Sequence, residues 1–244
     1  MNGSLIIVIP CFNEFERLQE DSFETFLRQD NNTRIIFSND GSTDRTLDKL
    51  NAIRSIAPDK VFINSLEKNA GKAEAIRQGV LYCFSGNLQS DRIAYLDADG
   101  ATSLSECHSI SQNINDDVLF AFGSRILKID NNIIRKPYRH LIGRILATVI
   151  SSQLKIHVYD TQCGCKIFRS DLAKEVFSER FISKWLFDVE IFHRIIRLYG
   201  KDKMRQICRE IPLQNWIDTA DSKVRFTYSF KIWYDILRIK RKYR

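Results

Sequence analysis

The chain has 244 residues, 44% hydrophobic and 27% charged, enough for one large domain or a domain with an extension. No run of about 18 apolar residues occurs, so no membrane-spanning helix is expected. The formal net charge of +7 turns attention to anionic partners, namely nucleic acid, an anionic membrane or phosphorylated substrates. The excess is uneven. Lys231, Arg238, Lys240, Arg241, Lys242 and Arg244 crowd the end, and Arg135, Lys136, Arg139, His140 and Arg144 form a second cluster. The opening MNGSLIIVIPCFNE shows neither a basic leader nor a cleavage pattern, which sets the expectation of a cytosolic protein. Its six cysteines follow no disulfide framework, and Cys163-Gly164-Cys165 is not a C-x₂-C pair. They read as structural thiols.

Leu5–Ile9 reads as a buried strand ended by Pro10, and a polar helix is expected over Glu16–Arg28. Arg34–Ser38 is a second strand, followed at once by Asn39-Asp40-Gly41-Ser42-Thr43-Asp44. Leu47, Leu50, Ile53 and Ile56 then recur at helical spacing. Val61–Asn64 is a third strand, Gly71–Phe84 a helix with Ala73, Ile76 and Val80 on one face, and Ile93–Leu96 a fourth strand. This alternation argues for a parallel sheet covered on both faces. Val118–Phe122 is a further strand leading into Gly123-Ser124-Arg125. Beyond it the pattern loosens. Leu141, Ile142, Ile145, Leu146, Val149 and Ile150 make an amphipathic helix, and Asp160–Phe168 is a polar, cysteine-containing segment. Helices are expected near Asp171–Phe177 and Val189–Tyr199, the latter stopped by Gly200. Ile207–Pro212 reads as an edge strand, and Phe226–Arg244 mixes aromatic with basic residues.

The chain is organised around Arg92–Ser103, RIAYLDADGATS. Residues two apart on an extended chain point to one side, so Asp97 and Asp99 can face one ion. Gly100 permits a sharp turn, and Thr102 or Ser103 can cap a helix over Leu104–Asn115. Such a carboxylate pair suits Mg²⁺ or Mn²⁺, which take few protein oxygens and share substrate phosphates. Taken alone, these residues read first as an acidic turn, and it is the rest of the chain that reverses this. The other early strands also end in polar groups: Asn13 and Glu14, Asp40, then Asn69 and Lys72. In a parallel sheet these ends lie along one edge and can converge on a ligand such as a nucleotide diphosphate. Asn69-Ala70-Gly71-Lys72 lacks the rest of a P-loop, and neither a GxGxxG fingerprint nor a serine nucleophile elbow occurs.

PCFNE, SNDGSTD, NAGKAEAIRQG, DADGATS, FGSR, DTQCGCKIF and WLFDVE, in this order, resemble the motifs of family 2 glycosyltransferases. Within that family they resemble the dolichyl-phosphate glucosyltransferase branch of the polyprenyl-phosphate sugar transferases. The resemblance runs from about Leu5 to Val224. It implies an α/β GT-A (Rossmann-like) fold, a mostly parallel sheet with helices on both faces, over 1–225. Residues 226–244 are left as a basic, aromatic extension. It also implies that Glu14 and Asp40 hold the ribose and uracil of a UDP-sugar, with Pro10 on the same donor side. Asp97 and Asp99 would bind the metal, Lys72 would lie near the diphosphate, and Arg125 would meet the acceptor phosphate or leaving group. Asp160, Gln162 and Lys166 would shape the sugar and acceptor side, closed by Asp188 and Glu190. Trp216 and Ser222-Lys223 echo a late motif. Ala73 replaces a usual glycine, Asp221 stands before Ser222-Lys223 where glycine is usual, and Ala101 stands where a glutamine helps the metal in the more distant mannose synthases. The transmembrane segment common in the glucosyltransferase branch is absent from the sequence.

The expected reaction is inverting transfer of a sugar, glucose first, from a UDP-sugar to a polyprenyl or dolichyl phosphate, with Asp99, Arg125 and Asp188 as catalytic candidates. A phosphate monoester has its second pKa near ~6 and arrives ionised, needing cations rather than a base. Arg125, Arg139 and Arg144 are candidates to hold it. The alternative is transfer to a hydroxyl of a surface glycan with Asp188 as general base. No recognition motif accompanies the basic tail, so nucleic acid is not expected as a partner. Contact of the tail with the cytoplasmic face of a membrane is expected instead, whereas the Leu141–Ile150 helix reads as core packing before membrane contact. His108, His140, His157 and His193 show no ligand spacing, and Trp185 reads as a buried aromatic before a sugar platform.

Overall fold

Leu5–Cys11 forms strand β1, in which Leu5, Ile7 and Ile9 face one side and Ile6 and Val8 the other. All five are buried, the pattern of a strand covered on both faces. The computed structural model describes residues 3–29, 32–86, 88–134, 137–217 and 228–243, apart from the side chains of 137–143, 145 and 228–231. Within them, β1 is followed by α1 (Glu20–Leu27), β2 (Thr33–Asn39), α2 (Thr46–Ile56), β3 (Val61–Ser65), α3 (Lys72–Ser85), β4 (Arg92–Leu96) and α4 (Leu104–Ser111). Then come β5 (Phe120–Ser124), β6 (Asn132–Ile134), α5 (Pro137–Leu154), β7 (Cys165–Arg169) and α6 (Ser170–Val176). Helices α7 (Phe187–Tyr199) and α8 (Lys201–Ile207), strands β8 (Cys208–Pro212) and β9 (Asn215–Ile217), and helix α9 (Tyr228–Lys242) complete it.

The described strands form a seven-stranded sheet in the order β3-β2-β1-β4-β7-β5-β8 and a two-stranded ribbon, β6-β9. β1 to β4 run parallel, as expected from their alternation with helices. Helices α1, α2 and α4 cover one face of the sheet, while α3, α6, α7 and α9 cover the other. Strand β1 continues through Pro10 instead of ending there. The Asp40 N–H donates to the Cys11 carbonyl, so Pro10 turns its missing N–H toward β4, whose last pair with β1 is Val8–Tyr95. No ladder bond is lost.

The larger departure is β7. The segment read as polar contains a central strand, antiparallel to both β4 and β5. Lys166 disguised it, because a lysine mid-strand argues against full burial, yet its side chain is 0% exposed. Because β7 runs against its neighbours, its amino end lies beside the carboxyl end of β4. This places Asp160–Gly164 at the same sheet edge as Asp97 and Asp99. Helix α8 was not anticipated, and β8 is an edge strand as expected, paired in parallel with β5.

Helix α9 packs onto the body. Ile236 and Ile239 are buried in the core shared with α7, and Asp235 accepts a hydrogen bond from Ser183 Oγ at 2.6 Å. Tyr243 donates to Glu190, which also holds Arg194.

Candidate active site

The carboxyl ends of β1, β2 and β4 open into a cavity of about 530 Å³. Among the residues that line it are Pro10, Glu14, Asp40, Lys72, Asp97, Asp99, Arg125, Arg144, Gln162 and Asp188. Asp40 leaves the end of β2 almost fully buried and accepts the Ala70 and Gly71 amides at 2.7 and 2.9 Å. Desolvation outweighs these bonds and raises its pKa. Glu14 is paired with Arg17 at 2.6 Å, so the cavity wall carries a cation that sequence reasoning did not single out.

Asp97 follows β4 directly, and its backbone N–H is held by the Gly164 carbonyl at 3.0 Å. A Cβ at Gly164 would fall inside the van der Waals surface of the Asp97 carboxylate. This close approach explains the glycine between the two cysteines, which serve as buried thiols. Gly100 has φ +71°, the expected turn, and Ser103 caps α4 by accepting the Glu106 N–H at 3.1 Å. Burial, then the Asp97 charge, raise the pKa of Asp99. Lys72 reaches Asp97 Oδ1 at 2.6 Å. Desolvation opposes its charge, but Asp97, Asp188 and Asp99 together raise its pKa.

These residues fit a divalent ion. Asp97 Oδ1 is buried with no hydrogen-bond partner beyond the Lys72 ion pair, and a neighbouring carboxylate resists ionisation unless further positive charge is supplied. No group of three or more potential ligands occurs among the described residues. An ion on Asp97 and Asp99 would therefore complete its shell with substrate oxygens.

Across the cavity Arg125 emerges from β5 into a bidentate pair with Asp160, at 2.6 and 2.8 Å, and its backbone N–H donates to the same carboxylate at 3.1 Å. Burial opposes both charges. Their mutual attraction nevertheless holds Asp160 at about 2 and raises Arg125. The Arg125 guanidinium lies 5.3 Å from the centre of the Trp216 ring, within cation–π range. Glu210 on β8, a residue the motifs did not flag, organises this corner. Its carboxylate accepts the Asp160 N–H at 2.8 Å, the Tyr159 N–H at 3.0 Å and the Ser124 hydroxyl at 2.7 Å. Arg144 stacks 3.8 Å above the Tyr159 ring.

Asp188 lines the cavity as expected, but Lys166 and Glu190 are placed differently from expectation. Lys166 does not line the cavity. Its ammonium lies beneath the floor, 2.5 Å from Asp188 Oδ1 and 2.7 Å from the Cys163 carbonyl. Tyr95 donates to the same Asp188 oxygen. Glu190 is turned away into the α7–α9 contact, where it accepts the Ile182 N–H at 2.8 Å. Trp185 is 38% exposed on the cavity wall instead of buried in the core. The Arg139 side chain and Ser222-Lys223 lie outside the described residues, as do Arg135, Lys136 and the side chains of His140, Leu141, Ile142 and Ile145.

The profile of "Glycosyl transferase family 2" matches residues 6–177. A dolichyl-phosphate beta-glucosyltransferase of Trichomonas vaginalis is 30% identical over 97% of this chain and 73% of its own length. The dolichyl-phosphate beta-glucosyltransferase of Homo sapiens is 30% identical over 98% of this chain and 75% of its length. Among solved structures, glucosyl-3-phosphoglycerate synthase from Mycobacterium tuberculosis, solved with Mn²⁺, UDP and its product, superposes with a TM-score of 0.70. That match has 13% identity and covers 99% of this chain and 80% of that one. The fold is therefore GT-A. With the profile spanning the strands that deliver Asp40, Asp97, Asp99 and Arg125, the chain belongs to glycosyltransferase family 2.

Proposed function

We propose that this glycosyltransferase moves glucose from UDP-glucose to a polyprenyl or dolichyl phosphate with inversion at the anomeric carbon. The observation that carries the reading is the opposition, within one cavity, of the Asp97–Asp99 pair and the Asp160-oriented guanidinium of Arg125. The names of the curated relatives support the sugar and the acceptor, and the solved neighbour bound to Mn²⁺ and UDP supports the donor.

In this reading Asp40 and Glu14 bind the nucleoside, and Lys72 balances the negative charge of the diphosphate and the two aspartates. Asp97 and Asp99 would hold Mg²⁺ or Mn²⁺, which would supply Lewis-acid stabilisation of the charge on the departing diphosphate. Arg125 holds the acceptor phosphate and orients its oxygen toward the sugar, with Arg144 nearby on the cavity wall. The ionised phosphate needs no proton removed. Asp188 suits this chemistry better than the hydroxyl-acceptor alternative. One of its oxygens already takes the Lys166 ammonium and the Tyr95 hydroxyl, so accepting a proton there would break an ion pair. It orients the floor of the cavity instead.

Basic and aromatic residues of α9 extend the reading to a membrane surface. Trp233, Tyr234 and Leu237 are exposed on a helix carrying Arg238, Lys240, Arg241 and Lys242. Among the described residues no helix is long and apolar enough to cross a membrane.

The test is incubation with labelled UDP-glucose or GDP-mannose, Mn²⁺ and dolichyl phosphate in detergent. The expected product is a lipid-linked glucose whose anomeric configuration, read by NMR, is inverted relative to the donor. No lipid-linked product from any UDP-sugar would overturn the reading.

A further inference from the structure

Helix α7 brings Phe187 and Asp188 to the cavity in its first turn, directly after Trp185. The first N–H groups of a helix have no partner within it, and Leu186 at the N-cap makes no side-chain bond to them. Ser183 supplies the missing acceptor. Its hydroxyl accepts the N–H groups of Trp185 and Leu186 at 3.2 and 2.9 Å and donates to Asp235 Oδ2 at 2.6 Å. A hydroxyl has one proton and two lone pairs, so all three are committed. Asp235 takes the proton and thereby fixes where the lone pairs point. Ser183 is 1% and Asp235 6% exposed, so water does not stand in for either partner.

Asp235 belongs to α9, which holds the same segment a second time. Tyr243, in the turn that closes α9, donates to Glu190 Oε1 at 2.8 Å, and Glu190 Oε2 accepts the Ile182 N–H at 2.8 Å. Residues 182–190 are thus tied to α9 near both ends. Asp235, Ile236, Ile239 and Tyr243 fall within an arc of about 100° on the helix, the side packed on the body. Trp233, Tyr234 and Leu237 lie outside that arc and are exposed. What the tied segment carries bears on the donor side of the cavity. The Phe187 ring lies 6.0 Å from the Lys72 ammonium, at the limit of cation–π range, and Lys72 is the partner of Asp97.

We propose that Asp235 is a positioning residue for glycosyl transfer: through Ser183 it fixes the first turn of α7, and with it the Trp185–Asp188 wall that supports Lys72 and the donor. This rests on the reading that Lys72 meets the diphosphate of the UDP-sugar. One face of α9 therefore serves the cavity, while the opposite face is the one read above as membrane contact. Without the Asp235 carboxylate the Ser183 hydroxyl is free to turn, and the amides of Trp185 and Leu186 lose a fixed acceptor. The acceptor corner of Arg125, Asp160 and Glu210 is held by its own bonds, so the loss falls on the donor.

The experiment compares wild type with Asp235→Ala, Asp235→Asn and Ile239→Val in the full chain. Asparagine keeps an acceptor oxygen for Ser183. Ile239→Val trims the same helix face without touching Ser183 and so controls for loosened packing of α9. Hydrogen exchange read by mass spectrometry should show peptide 183–188 exchanging about tenfold faster in Asp235→Ala, with β1 to β4 unchanged and Asp235→Asn restored. In calorimetry with Mn²⁺, the Kd for UDP-glucose should rise about tenfold in Asp235→Ala, the loss expected of one buried hydrogen bond. It should recover in Asp235→Asn and stay at the wild-type value in Ile239→Val, while the acceptor KM is unchanged in all three. Unaltered exchange over 183–188 would overturn the proposal. So would an equal donor loss in Ile239→Val, or lost protection across β1 to β4 in Asp235→Ala, since either reduces Asp235 to packing. Wild-type protein that binds no UDP-glucose would overturn the donor reading. In that case the exchange at 183–188 decides whether Asp235 fixes the turn.

Discussion

The two halves of the cavity are built by different means. In the β1–β4 half, each functional group comes directly from the end of a parallel strand or the start of its following helix. Asp40 follows β2, Lys72 opens α3, and Asp97 follows β4. Their positions are set by a buried sheet whose side chains are apolar on both faces. In the β5–β9 half, Arg125, Asp160 and Trp216 come from loops and a two-stranded ribbon separated by up to 91 residues. Ion pairs and backbone hydrogen bonds centred on Asp160 and Glu210 hold them. A site hung on a sheet tolerates surface change but not intrusion, whereas a site hung on a polar network fails when one member is removed.

Removing Asp99 tests the first half most severely. Asp99→Ala should abolish metal-dependent UDP-glucose binding in calorimetry and lower kcat/KM on the order of 1000-fold. Gly164→Ala should approach it, since the new methyl must displace the Asp97 carboxylate. Metal-dependent binding that survives Gly164→Ala would show that Asp97 adjusts and that the sheet edge is compliant.

Asp160→Asn probes the second half. It should cost roughly 3 kcal/mol of stability by leaving a buried guanidinium without its partner and reduce acceptor kcat/KM about 100-fold. Donor affinity should be spared. The pH dependence separates charge from packing. Despite desolvation, Arg125 holds Asp160 at about 2, below the ~3.9 of an unfolded aspartate. A lowered pKa stabilises the fold above the unfolded value, and the contribution fades as pH falls from about 4 toward 2. Urea unfolding should therefore show the gap between wild type and variant narrowing across that window. A constant gap would assign the loss to packing.

Glu210→Gln sharpens the comparison further. The amide retains one acceptor oxygen but sets an N–H group against one of the three donors that the carboxylate satisfies. Glu210 is a positioning residue, so the expected change is an acceptor KM raised about tenfold with little change in kcat or donor affinity. Equal losses for donor and acceptor would mean that it merely supports the fold. The smallest effect is expected at α9. Replacing Trp233 and Leu237 with serine should weaken binding to anionic vesicles several-fold and leave turnover of a soluble acceptor intact. Unaltered flotation would remove α9 from the membrane contact.

Most of the first half was readable from the residues themselves. Apolar runs followed at once by Asp40 and by Asp97-Ala98-Asp99 announce strands whose ends meet at one edge, because parallel pairing forces that convergence. Gly100 and Ser103 act as their types suggest. The second half was recognisable through the ordered motifs but not from periodicity. Lys166 hides β7, since its charge is acceptable inside only when Asp188, 22 residues later, folds onto it. Glu210 carries no local signal at all, for its meaning arises when β8 joins the sheet beside β5. Trp185 illustrates the same limit, because the sequence alone does not tell a core aromatic from one on a cavity wall.

By itself, the sequence determined the alternation of strands and helices, the sheet edge that bears the carboxylates and the family to which the chain belongs. These depend on local pattern and residue type. The tertiary structure alone decided the antiparallel entry of β7, the pairing of Lys166 with Asp188 and the Glu210–Asp160–Arg125 relay. Each arises from contacts between segments distant in the chain, whose free energy exists only once the backbone has brought them together.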